Sequence, residues 1–199
     1  MAEIKSTMEM VMERAARMEA DSGDTELQFD DHVKDGMRTG AALMRGEEPD
    51  LAGALSKYQP EGRPHFMQGF ALALLRNIVL PREEEQLQVA EQAMNGLLLA
   101  GEGNKELLAI FGDLKKILDQ YGQHRKQLRE QLEANFAQQM PQLEAAMAQK
   151  TGVPMKLKPS QHPKYQEEWQ RVLGELDGQY GQAVDQHKEL VTRILTSQV

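Results

Sequence analysis

The chain has 199 residues, a formal net charge of −8, 27% charged and 5% aromatic residues, and no cysteine. The missing cysteine excludes disulfides, thiolate metal sites and cysteine nucleophiles, and agrees with a reducing, cytoplasmic setting. Leu, Ala, Glu, Gln, Met, Lys and Arg dominate over β-branched and aromatic residues, which excludes an extensive sheet and points to an all-α fold.

From Ala2 to about Ala20, Ile4, Met8, Val11, Ala15 and Met18 recur at fours and threes and line one face of a first helix. Charges fall inside that apolar spacing, so a signal peptide or lipidation site is not expected. Met8, Met10, Met12 and Met18 crowd this helix; Met10 lies off its seam and suggests a second contact surface for a protein partner. Thr25 and Gln28 have capping-box spacing and open a second helix to about Arg45. Within it Gly36 and Gly40, beside Ala41, allow a neighbouring backbone to approach closely, at roughly 1 kcal/mol per glycine relative to alanine.

Pro49 suits the first turn of a short helix ending near Tyr58, and Pro60, Gly62 and Pro64 break the chain again. Pro64 opens the most apolar helix, with Phe66, Phe70, Leu74, Leu75 and Ile78 as core candidates. The apolar stretch from Phe66 to Leu80 falls short of the ~20 residues that cross a bilayer, so no membrane association is expected. Pro81 followed by Glu83, Glu84 and Glu85 starts a further helix that Gly101 and Gly103 end.

The pattern then changes, dividing the chain into a helical N-terminal part, 1–102, and a long antiparallel coiled-coil-like helical hairpin, 103–199, turning near 151–163. Leu107, Phe111, Leu114, Leu118, Tyr121, Arg125, Leu128 and Leu132 form a narrow seam, continued by Phe136, Met140, Leu143 and Met147 in a helix that Pro141 kinks. The returning helix carries Tyr165, Trp169, Val172, Leu176, Tyr180, Ala183, His187, Leu190 and Ile194. A turn centred near residue 156 sets Phe136 and Met140 opposite the region of Gly174 and Trp169. One such seam buries little surface, so homo-oligomerisation is expected.

Chemical signals are sparse. Metalloprotease, nucleophile-elbow, P-loop and dinucleotide fingerprints are all missing, so no catalytic residue is assigned and no cofactor is expected. His124 would face His187 across the hairpin; the pair reads either as polar residues that set register or as two ligands of a metal, although two ligands do not close a site. Asp30, Asp31, His32 and Asp35 read as a solvated acidic face. Lys150, Lys156, Lys158 and Lys164 give the connector four positive charges and no acid, a candidate anion-binding tip. Residues 1–100 hold 10 Lys+Arg against 18 Asp+Glu, which would repel nucleic acid, whereas residues 101–199 hold 13 of each. Nucleic acid is therefore not the expected partner.

The opening AEIKSTMEMVMER, in the pattern AEIKST-x-E-x-x-MER, resembles the N-terminal signature of an uncharacterised bacterial protein family of unknown function. The resemblance rests on the first fourteen residues. It implies a bacterial cytosolic protein and supplies no site residues. The leading expectation is a non-enzymatic helical interaction or scaffold protein. The alternatives are an anion or nucleic-acid binder acting through the basic tip and a metal-dependent or small-molecule helical enzyme.

Overall fold

The computed structural model describes residues 29–153 and 156–198. The expected first helix, its Met-rich face and the Thr25 capping box lie outside them. Among the described residues the secondary structure is helical, without strands. Helix α1 covers residues 29–44. It is followed by α2 (Leu51–Leu55), α3 (Arg63–Leu75), α4 (Glu84–Ala100), α5 (Lys105–Ala137), α6 (Met140–Thr151), a 3-10 turn (Pro159–Gln161) and α7 (Tyr165–Ser197).

The helix ends follow local chemistry. The Asp50 carboxylate, rather than Pro49, caps α2 by accepting the Gly53 N–H at 2.9 Å. Pro64 sits in the first turn of α3, where its missing N–H leaves no helical bond unmade. That helix stops at Leu75, three residues earlier than its apolar spacing suggests, and the Asn77 side chain donates to the Ala73 carbonyl at 2.9 Å. At the end of α4, Glu102 and Gly103 take positive φ.

The described residues form two compact units, one of residues 29–77, 92–107 and 190–198, the other of 78–91, 108–153 and 156–189. They cut across the sequence division at 102/103, because α4, α5 and α7 each contribute to both. In the first unit Phe66, Phe70, Leu74 and Leu97 are at most 1% exposed. Helices α1 and α3 meet through glycine. A Cβ on Gly36 would lie 1.9 Å from the Phe66 carbonyl oxygen, and one on Gly69 would lie 2.0 Å from that of Val33. The close approach expected at Gly36 and Gly40 is thus present, with Gly69 as its unforeseen counterpart. Beside it Phe29 stacks on His65 and His32 lies against Tyr58.

In the second unit Leu114, Leu118, Tyr121, Leu132 and Phe136 of α5 are buried, as their seam spacing predicts. Side chains of α5 and α7 meet at three places: Tyr121 with Asp177, His124 with Tyr180, and Phe136 with Tyr165.

Three expectations need correction. The helix after Asn104 is not one kinked rod: α5 ends at Ala137, and Pro141 sits in the first turn of a separate α6. The register also shifts, since Phe136 packs on Tyr165 rather than near Gly174. The chain reverses at Gly152, whose φ of 72° ends α6 in the left-handed conformation. The following connector already runs back beside α6, where the Leu157 N–H donates to Glu144 Oε1 at 2.8 Å. Finally, the C-terminal part of α7 buries Val184, Val191 and Leu195 instead of Ala183, Leu190 and Ile194; Leu190 is 42% exposed. A straight helix drifts by about 20° per heptad against a strict 3.5-residue repeat, which moves the buried stripe by one residue after a few turns.

Candidate functional site

The most developed polar constellation lies in the second unit. Its wall begins where Pro81 interrupts helix formation, leaving residues 78–81 outside any helix. The backbone of Arg82 is held from two directions. Its N–H donates to Gln86 Oε1 at 2.6 Å, an N-terminal cap for α4, and its carbonyl accepts from Arg125 Nη1 of α5 at 2.6 Å. Arg125 therefore occupies a seam position because its guanidinium has a backbone carbonyl to reach, whereas its Nε finds no hydrogen-bond partner among the described residues.

This segment, α5 and α7 border a cleft of about 440 Å³. Ile78, Leu80 and Val184 give it apolar wall, while Arg82, Tyr121, Asp177 and Lys188 bring polar groups. Tyr121 is 1% exposed and donates to Asp177 Oδ1 at 2.7 Å. Gly181 borders the same cleft, and a Cβ there would meet no atom within 4 Å.

The charges have definite consequences. Burial, together with the hydrogen bond to Asp177 and that carboxylate's charge, pushes the Tyr121 phenol up to about 12, against a smaller opposing pull from Arg125 and Arg82. At neutral pH Tyr121 is a hydrogen-bond donor, not a base or nucleophile. Burial also holds the Lys188 ammonium below the ordinary lysine value, with the charge of Asp185 working in the opposite direction. The cleft thus combines two cations, two carboxylates and an apolar wall, an arrangement suited to binding more than to proton abstraction.

An alkaline titration reads the phenols directly. Tyr58 is likewise pushed up to about 12 by burial and its bond to Asp35, and burial raises Tyr165. The fold favours the protonated phenol at each, so the stabilisation is complete below the unfolded value near 10 and is lost as pH rises through the raised folded values, about 12 for Tyr58 and Tyr121. Tyrosinate absorbance should show a large delayed fraction in the folded protein and a single rise near 10 in denaturant. Identical curves would contradict the buried hydrogen-bonded geometry.

The sequence-predicted candidates occupy other places. His124 Nδ1 lies 2.7 Å from the Tyr180 hydroxyl, and His187 Nδ1 lies 2.7 Å from the Ala183 carbonyl oxygen, the ring acting as donor there. The register shift gives them different partners, and among the described residues no group of three or more His, Cys, Asp or Glu side chains could hold a metal ion. Lys150, Lys156, Lys158 and Lys164 are exposed. They are distributed along α6 and the returning connector, with Glu144 bonded to the backbone between Lys156 and Lys158. The acids of α1 are engaged separately: Asp31 pairs with Lys34, while Asp35 pairs with Arg38 and accepts from the Tyr58 hydroxyl.

Sequence reasoning placed Tyr121 and Arg125 on the seam but missed the cleft, since Asp177, Gly181 and Lys188 lie off the α7 seam. The available signal was a tyrosine and an arginine four residues apart in an apolar line, because buried polar groups require partners.

Among the described residues the protein is all-helical, with a polar-lined cleft and no helix long and apolar enough to cross a membrane. The chain belongs to the family described as Family of unknown function (DUF6657), whose model matches residues 52–193. The match leaves out the AEIKSTMEMVMER opening. Comparison with curated proteins and with solved structures returned no match.

Proposed function

We propose that this chain is a non-enzymatic cytoplasmic interaction or scaffold protein that self-associates through an antiparallel, coiled-coil-like hairpin built by α5, α6 and α7. The observation that carries this reading is the pair Gly174 and Gly178, both exposed and four residues apart on one face of α7. A Cβ at either would meet nothing within 4 Å. Each costs roughly 1 kcal/mol relative to alanine inside a helix, and no packing among the described residues accounts for that cost. A second copy whose helix approached this face would use the space left by the missing side chains. Leu108 on α5, 58% exposed, adds apolar surface to the same unit.

Native mass spectrometry and light scattering of the full chain over a concentration series test the reading. The wild type is expected as a dimer or larger closed assembly. Gly174→Lys and Gly178→Lys, which find open space in the single chain, should shift it towards monomer with helicity retained. A wild-type monomer at every concentration, or lysine variants that assemble normally, would reject self-association through this face.

A further inference from the structure

We infer that the cleft bordered by Ile78, Leu80, Arg82, Tyr121 and Val184 is a binding site for a small organic carboxylate with an aliphatic or aromatic body, independent of self-association. The volume, about 440 Å³, lies within the range of small-molecule sites, and its mixture of apolar wall with a few fixed polar groups is their usual chemistry. Val79, 41% exposed, and Leu80 offer the ligand body accessible apolar surface, backed by the buried Ile78 and Val184.

The anionic end of the ligand follows from how the charges are already committed. Asp177 accepts the Tyr121 hydroxyl, and Asp185 lies close enough to Lys188 to raise its proton affinity. Arg82 differs. Its backbone is fixed by Gln86 and Arg125, yet its guanidinium forms no ion pair among the described residues, leaving a fork whose geometry matches a carboxylate. Lys188 borders the same space and gives a second positive charge on a partly desolvated stem. An amine would meet two cations there, and a neutral alcohol would leave the Arg82 fork unused. A bare inorganic anion would leave the apolar wall unoccupied.

Gly181 strengthens the inference independently of charge. It stands in the interior of α7 on the cleft border, where a Cβ would enter open space and a larger side chain would occupy the volume assigned to the ligand.

Isothermal titration of the full-length protein should use hexanoate as the probe, with hexan-1-ol, hexylamine and inorganic phosphate as comparisons. Hexanoate is expected to bind saturably, one per chain, with a dissociation constant of about a millimolar or below. Arg82→Gln should weaken it about tenfold, the loss expected for one charge-assisted hydrogen-bonded contact. Gly181→Leu should abolish binding by filling the cleft, and a circular dichroism spectrum and unfolding midpoint at or above wild type would show that the variant folds. The alcohol and amine should bind at least about tenfold more weakly than the acid. Absence of saturable hexanoate binding would overturn the proposal. So would equal binding of alcohol and acid, which would leave Arg82 without a role, or binding by phosphate with none by hexanoate. Hexanoate affinity unchanged in the folded Gly181→Leu variant would place any ligand elsewhere and equally reject this site.

Discussion

Substitution of Gly36 by valine is expected to unfold the first compact unit or leave it only marginally stable. A Cβ there would stand 1.9 Å from the Phe66 carbonyl oxygen and 2.8 Å from the Phe70 nitrogen. These are backbone atoms of α3, so no rotamer change relieves the clash; α1 and α3 must move apart and open the packing around Phe66 and Phe70. Inserting even flexible methylenes into a packed interior costs about 1–3 kcal/mol, and a fixed backbone places Gly36→Val at about 3 kcal/mol or more. Against the 5–15 kcal/mol that stabilises a typical domain, such a loss is a large fraction of the total. Gly69→Val should match it, because Gly69 makes the reciprocal contact with Val33. Gly112→Ala on α5 provides the opposite control: the added methyl meets open space, so the helix should gain about 0.4–1 kcal/mol. Urea unfolding of the three variants measures the contrast, and a Gly36→Val midpoint equal to wild type would mean that α1 and α3 do not approach in this way.

The second large effect is expected at Tyr121, whose aromatic ring and hydroxyl act in different ways. Removing the buried ring in Tyr121→Ala leaves a cavity and should cost about 3–5 kcal/mol, the range seen for large aromatic truncations. Tyr121→Phe keeps the ring, which lies edge-on to Tyr180 with centroids 5.6 Å apart, and removes only the donor to Asp177. A hydrogen bond to a charged group contributes about 1.5–3 kcal/mol, and the partial exposure of Asp177 puts this one at the lower end. In a double-mutant cycle, Asp177→Asn in the Tyr121→Phe background should cost less than in wild type. Strict additivity would show that the two side chains do not interact in solution.

Legibility varied along the chain for identifiable reasons. The buried line of α5 could be read because Leu114, Leu118 and Tyr121 follow one helical period on a face that stays buried. The apolar run from Phe66 to Leu75 marked the core of the first unit, since a helix so uniformly apolar has little surface to present to water. The role of Gly36 was also legible, because a mid-helix glycine without turn chemistry leaves close approach as its physical explanation. Seam extrapolation failed on α7, where the drift of a real helix transferred burial from Ala183 and Leu190 to Val184 and Val191.

The cleft was hidden for another reason. Arg125 finds the Arg82 carbonyl 43 residues away, and Tyr121 finds Asp177 56 residues away. Nothing in the local spacing around either partner records the other. The supposed facing of His124 and His187 depended on a turn centred near residue 156, and the reversal at Gly152 gave His124 to Tyr180 instead.

Helical character, the start at Pro64, the end near Gly101 and the buried face of α5 were determined by sequence alone, because propensity, capping and periodicity act over four or fewer residues, whereas α4 begins at Glu84, three residues after Pro81. The register between α5 and α7, the pinning of Arg82 and the cleft beside Tyr121 were decided only by tertiary structure. Those features arise when distant segments meet, and the meeting point is set by where the chain reverses and by which polar groups must find partners once water is excluded.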